Sequence, residues 1–272
     1  MQLVTFSHPI RNGVGILRDG VVTAAAWTLD MLNLIDAGIT PTETTLRFPL
    51  AECKIHAPLR PRKIVAIGRN YVDHIKEMGN QTPEKPLMFA KLPSSIIGDG
   101  QTISWSESAT QQVDWEGELA VVIGKHISKI SPDEALKAVY GYTIANDISA
   151  RDLQQSEPQW IRAKGMDTFC PLGPTLVTKH DVANPQVLHI TTTVNGETMQ
   201  DASTELMIHS VESLISYISQ WVTLDPGDII LTGTPAGVGK GQNPPRFLKD
   251  GDVVSVTIDG FGTLTNSCKV TA

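Results

Sequence analysis

The sequence predicts a β-rich α+β fold, and three observations carry that expectation. The run Val187 to Val194 is followed by Asn195-Gly196, a strong hairpin signal, because a two-residue turn of that type needs positive φ at both positions. The segments DIILTGT (Asp228 to Thr234), DVVSVTID (Asp252 to Asp259) and TLTNSCKV (Thr263 to Val270) are three further strand-like runs separated by Gly-rich turns. Helical patterns are few and scattered, so a regular alternation of strand and crossover helix is excluded.

In chain order, residues 1 to about 60 alternate short strand-like runs with one helix, Thr28 to Ala37, closed by Gly38 at a C-cap position. The stretch APLRPRK (Ala57 to Lys63) has two prolines among basic residues and reads as a linker. It divides the chain into a small N-terminal module, residues 1–60, and a main domain, residues 61–272. KIVAIG is then a short strand running into Arg69-Asn70. Asn70 is expected to cap a helix over YVDHIKEM that Gly79 ends. Ser131-Pro132-Asp133-Glu134 is a capping box with Pro at the first helical position, which predicts a helix over DEALKAVYGY. A second helix fits Val211 to Val222.

With 272 residues, 41% hydrophobic and 19% charged, the chain can bury a sizeable core. A formal net charge of -7 and the lack of any Lys/Arg run argue against nucleic-acid binding. That balance says nothing against a small anionic substrate, which feels only the local field of a pocket. Cys53, Cys170 and Cys268 are far apart without CxxC spacing, so they read as small buried hydrophobes rather than disulfide or zinc partners. The N-terminal MQLVTFSHPIRNG carries no signal-peptide pattern, and no apolar stretch is long enough to span a bilayer. A cytoplasmic protein without membrane contact is expected.

The chemistry begins in DWEGELAVVIGK (Asp114 to Lys125). Glu116 and Glu118 are two apart, so on a strand they share a face, where like charges repel and burial is costly. Either that face is a solvated edge, or a divalent cation with hard oxygen ligands lies against it. The second reading needs another acid leaving an apolar strand, and Asp147 in YTIANDISARD is one. His74 and Glu77 are three apart on the expected helix, where the carboxylate can orient the imidazole for general-base work or simply form a surface pair. Lys164 and Gln154, read alone, are an ordinary surface lysine and helix amide. LTGTPAGVG (Leu231 to Gly239) is Gly-rich but lacks the GK[ST] ending of a phosphate-cradling loop.

Taken together, GRNYVDH (Gly68 to His74), KLPSSIIGDG (Lys91 to Gly100), DWEGELAVVIG, NDISARDLQ (Asn146 to Gln154), KGMDTFCPLGP (Lys164 to Pro174), VNGE (Val194 to Glu197) and LTGTPAGVG resemble the short-form members of the fumarylacetoacetate hydrolase family. The match runs in family order over about residues 60 to 270. The resemblance implies a mixed β-sandwich roll with a few outer helices, metal ligands at Glu116, Glu118 and Asp147, and a catalytic pair at His74 and Glu77. It places an active-site lysine at Lys164, a glutamine near the oxyanion position at Gln154, and substrate-lining residues at Arg69, Lys91, Arg151 and Thr234. It also implies a homodimer, and a helix bearing His74 and Glu77 that closes over the pocket. The extra aspartate ligand of the longer, tyrosine-degrading members has no counterpart here, which argues against fumarylacetoacetate itself as substrate.

The activity so implied is hydrolysis of a carbon–carbon bond in β-diketo acids such as acylpyruvates. Mg²⁺ or Mn²⁺, with Ca²⁺ as an alternative, would chelate the 2-oxo-carboxylate end and stabilise the enolate leaving group. His74 and Glu77 would activate water, and Lys164 and Gln154 would stabilise the oxyanion. The same triad would serve a decarboxylase of oxaloacetate, or a hydratase or isomerase of 2-oxo acids. A metal-binding protein without turnover is the reading of a different class.

Overall fold

The chain is described by a computed structural model over residues 1–79 and 84–271. A large mixed sheet runs from Glu43–Pro49 through Val21–Ala25, Asn12–Arg18, Gln2–Ser7, Cys170–Thr178, Val139–Asn146, Gly117–Ile123, Ile229–Leu231 and Ile64–Gly68 to Leu87–Lys91. Its neighbours are antiparallel along this path except Ile229–Leu231 and Ile64–Gly68, which run parallel. A five-stranded sheet, in the order Glu197–Ser203, His189–Val194, Val253–Ile258, Gly262–Thr271 and Thr102–Ser106, packs against its middle. Ile190, Val256, Ile258 and Leu264 of the smaller sheet share one core with Leu119, Val121 and Ile144 of the larger. The fold is therefore β-rich α+β, built as a sandwich-like roll with short helices outside.

The strand Gly117–Ile123 is the axis of the arrangement. It is buried at every position because both of its faces are covered. Leu119, Val121 and Ile123 face the inter-sheet core, and Ala120 and Val122 face a second core with Leu3, Ile16, Met31 and Leu172. Each buried Leu, Ile or Val contributes roughly 1.5–3 kcal/mol. Such a run can hold the unfavourable Glu118 in the same strand.

The N-terminal strands belong to the large sheet. Gln2 and Leu3 pair with Val177 and Leu176, and Leu34 and Ile35 join the core that holds Ala120 and Ala145. The Asn195-Gly196 hairpin forms as expected, with φ of 53° and 81° at the turn and Val194 opposite Glu197.

Four local expectations are corrected. The first helix spans Met31–Asp36 rather than Thr28 to Ala37, because Asp30 is its N-cap and accepts from the Asn33 N–H at 2.8 Å. The helix that opens at Pro132 ends by Ala138, and Val139–Asn146 is a strand. Pairing decides this: Val139, Tyr142 and Ile144 are buried between two strands, and at Gly141 a Cβ would lie 2.3 Å from the Val177 carbonyl oxygen. The Ser131 side chain makes no capping bond, so the local signal is weak where tertiary pairing is strong. Asn70 does not cap the helix Val72–Glu77. Its amide is buried and bridges the chain instead, donating to the carbonyls of His209 and Thr232 and accepting from the His209 N–H. The helix expected over Val211 to Val222 spans Val211–Ser219, three residues shorter, with Ser210 as its cap. Among the described residues no helix is long and apolar enough to cross a membrane.

Candidate active site

Strand pairing gathers the three acids. Gly117 lies opposite Asn146, so Glu116 and Glu118 flank the point where Asp147 leaves the neighbouring strand. Two bonds lock the crossing: the Asp147 N–H donates to the Glu116 carbonyl at 2.8 Å, and the Glu116 N–H donates to Asn146 Oδ1 at 3.0 Å. One carboxylate oxygen from each of Glu116, Glu118 and Asp147 then lies within 4.8 Å of the others, and all three residues are buried. The remaining tie comes from the Gly233 N–H, which donates to Glu118 Oε2 at 2.7 Å.

Cations sit among these acids. The Lys164 ammonium donates to Glu116 Oε2 at 2.7 Å and Asp147 Oδ2 at 2.8 Å. Lys91 donates to Asp147 Oδ1 at 2.5 Å and to the carbonyls of Ile148 and Lys164. Arg151 donates through Nε to Asp114 Oδ2 at 2.8 Å and through Nη1 to Glu116 Oε1 at 2.7 Å and Gln154 Oε1 at 3.0 Å. Four buried carboxylates (Asp114, Glu116, Glu118, Asp147) thus face three buried cations (Lys91, Arg151, Lys164), which leaves one negative charge in excess.

Glu118 carries that excess. Burial, then Asp147 and Glu116, push its carboxyl well above the ordinary carboxylate range, against the weaker pull of Lys164 and the Gly233 N–H. Burial acts upward on Glu116 too, but Lys164 and Arg151 outweigh it and hold that carboxyl well below its usual value. Lys164 is kept protonated in spite of burial by Asp147 and Glu116. An all-oxygen set of three converging carboxylates with uncompensated negative charge fits a hard dication.

A cavity of about 340 Å³ opens on this cluster, and its wall includes Arg69, His74, Glu116, Arg151, Gln154, Thr234 and Lys240. His74 is buried, and its Nδ1 faces Glu77 Oε2 at 3.3 Å. Glu77 is itself held by the Gly237 N–H, which donates to Oε1 at 2.9 Å. The Gln154 side-chain oxygen accepts from Arg151 Nη1, and the residue lines the cavity. The Thr234 hydroxyl donates to the Gly117 carbonyl at 2.9 Å and accepts from Gln200 at 2.7 Å, so its proton is already committed. Arg69 reaches the wall from a backbone at φ 64°. Lys91 and Lys164 do not line the cavity; their ammonium groups are occupied by the carboxylates.

Sequence reading overlooked Asp114, the residue that organises the other wall. Its carboxylate accepts from Arg151 Nε, from the N–H groups of Gly239 and Lys240 at 2.7 and 3.1 Å, and from Trp115 N–H at 2.9 Å. Lys240 on the cavity wall was likewise overlooked. The only available signal was the position of Asp114 two residues before the acid pair.

Comparison with known proteins agrees with this geometry. Residues 63–269 match the family model described as fumarylacetoacetate (FAA) hydrolase C-terminal. The oxaloacetate tautomerase YisK of Bacillus subtilis is 49% identical over 223 residues, 80% of this chain and 74% of the relative. The solved fumarylacetoacetate hydrolase of Exiguobacterium antarcticum superposes with a TM-score of 0.91 at 39% identity, covering 100% of both chains. The 2-hydroxyhepta-2,4-diene-1,7-dioate isomerase of Mycobacterium marinum does so with a TM-score of 0.86 at 38% identity, covering 100% of this chain and 99% of that one. The motifs, the roll and the acid cluster it positions thus converge with these matches, and the chain belongs to the fumarylacetoacetate hydrolase family.

Proposed function

We propose that the protein interconverts the enol and keto forms of a small 2-oxo acid of the oxaloacetate type, using a divalent cation held by Glu116, Glu118 and Asp147. The observation that carries this reading is the position of His74: its imidazole shares one cavity wall with Glu116, and Glu77 fixes its Nδ1 side. The names of the Bacillus and Mycobacterium marinum relatives, a tautomerase and an isomerase, support it.

A bound Mg²⁺ or Mn²⁺ would supply Lewis-acid polarisation of the 2-oxo group. The other roles fall to side chains. With Nδ1–H donated to Glu77, the lone pair of His74 lies on Nε2, which removes a proton from C3 of the keto form. The C–H electron pair becomes the C2=C3 bond, the carbonyl π pair moves onto oxygen, and that oxygen takes the proton back from the His74 imidazolium; the reverse sequence returns the keto form. Glu77 stabilises the imidazolium that forms in between. Gln154 and Arg151, which line the cavity, supply hydrogen-bond donors for substrate oxygens. No carbon–carbon bond breaks and no water is consumed.

Acylpyruvate hydrolysis, the activity the sequence favoured, is the second reading, because the His74–Glu77 pair would also activate water. The test follows the decay of enol-oxaloacetate absorbance with chelator-stripped protein and again after Mg²⁺ or Mn²⁺ is restored. Products are identified by NMR. Metal-dependent acceleration that yields keto-oxaloacetate is expected. Pyruvate as the product would indicate decarboxylation instead, and no acceleration alongside cleavage of an acylpyruvate would replace the proposal with hydrolysis.

A further inference from the structure

The cavity wall holds a cation that the chemistry above does not use. Lys240 lies in the short turn Gly239–Gly241, and its backbone is fixed by the carboxylate that also fixes Arg151. Both neighbours of Lys240 are glycines set against packed atoms. At Gly239 a Cβ would lie 1.9 Å from the Arg246 carbonyl oxygen, and at Gly241 one would lie 2.2 Å from Glu77 Cδ. The turn is thus wedged between the Asp114–Arg151 pair and the carboxylate that orients His74.

Among the described residues the Lys240 side chain has no counterion. It is partly buried on the cavity wall, yet among the described residues no carboxylate lies within 4.0 Å of its ammonium. The two lysine ammonium groups among the buried acids, Lys91 and Lys164, each contact a carboxylate. Burial and then Arg151 depress the Lys240 ammonium below its ordinary range, with Asp114 opposing them. Beside it, Nη2 of the buried Arg151 is also without a partner. A half-buried cation beside an unsatisfied guanidinium nitrogen is an unfavourable arrangement unless an anion completes it.

That anion has to come from the substrate. A divalent cation held by Glu116, Glu118 and Asp147 would take the 2-oxo-carboxylate end, so a cation elsewhere on the wall is left for the opposite end. We propose that Lys240 is a specificity-determining residue that pairs with the distal carboxylate and restricts the site to 2-oxo dicarboxylic acids. The inference rests on the tautomerase reading for the orientation of the substrate, and it adds the residue that reads substrate length and charge.

The test is binding, read by calorimetry on metal-loaded protein, so it needs no turnover. The probes are malate and 2-hydroxybutanoate, two non-reacting acids that share the chelating end and differ in the distal carboxylate. Wild type is expected to prefer malate by about tenfold or more, as for one charge-assisted hydrogen bond. Lys240→Met should reduce that preference to within about threefold while leaving 2-hydroxybutanoate affinity unchanged, and Lys240→Arg should retain most of it. A Lys240→Met protein that keeps the malate preference, or that loses both ligands equally, overturns the proposal, the second outcome marking a merely structural turn. Wild type that binds neither acid also overturns it. A Lys240-dependent preference in a protein that fails to accelerate enol-oxaloacetate decay would sustain this inference and remove the tautomerase reading.

Discussion

Asp114→Asn isolates the contribution of the polar frame behind the cavity. The carboxylate accepts four bonds, with Oδ1 taking the N–H groups of Trp115 and Gly239 and Oδ2 taking Arg151 Nε and the Lys240 N–H. An asparagine keeps the shape but offers one acceptor, so its amide group must point donors at two existing donors. It also leaves the buried Arg151 with Glu116 as its one remaining acidic partner. Removing one member of a buried ion pair costs about 3–5 kcal/mol, and the surviving Glu116 contact places the effect near about 3 kcal/mol. For a chain of this size that corresponds to a fall in Tm of roughly 6–12 °C. Thermal unfolding of chelator-treated protein, followed by circular dichroism, measures it free of any metal contribution. The loosened Gly237 to Gly241 turn should also raise KM, since it carries Lys240 and holds Glu77 through Gly237. A Tm within about 2 °C of wild type would refute the view that Asp114 anchors this wall.

Other perturbations separate the roles of neighbouring groups. Glu118→Gln should leave metal-free protein as stable as wild type or slightly more so, because Glu118 carries the unbalanced charge; it should abolish the rise in Tm that Mg²⁺ or Mn²⁺ gives wild type, which differential scanning calorimetry reads. The same upward shift predicts a pH effect. The folded state holds a proton on Glu118 above the pH where the unfolded chain releases it, so metal-free wild type should lose stability as pH rises from the ordinary carboxylate range towards the raised value, and Glu118→Gln should lack that component of the slope. His74→Ala should lower kcat by about 10²–10⁴-fold with metal affinity unchanged, as checked by turnover beside metal titration. Gly237→Ala should destabilise the fold and raise KM in steady-state kinetics, since Gly237 has φ 102° and a Cβ there would lie 1.9 Å from the Met199 carbonyl oxygen.

What could be read from the sequence was what is local. The Asn195-Gly196 turn, the two-residue spacing of Glu116 and Glu118, and the three-residue spacing of His74 and Glu77 are short-range patterns, and each recurs in the structure. The failures have one cause as well. DEALKAVYGY carries a sound helix start, but Val139 onwards is claimed by strands at Gly117–Ile123 and Cys170–Thr178 that no local window contains. Asn70 looks like a helix cap and instead bonds to residues 139 and 162 positions away. Asp114 and Gly239 are 125 residues apart, so the acid that orders the wall looks in sequence like one more charge before a strand.

The distribution of charge explains why this site needs such a fold. The floor of the cavity holds one more carboxylate than its buried cations neutralise, while the wall holds an ammonium and a guanidinium nitrogen that no acid among the described residues meets. Direct contact between an acid of the floor and a cation of the wall would relax both, so the fold has to keep them apart. Glu118 is confined by the Gly233 N–H and by a strand buried on both faces, and Lys240 by the Asp114 carboxylate and by glycines on either side. The apolar cores on the two faces of Gly117–Ile123 offset the cost of this separation. A divalent cation held by the floor would satisfy the first deficit, and a 2-oxo dicarboxylate that chelates it through one end and presents its distal carboxylate to the wall would satisfy the second.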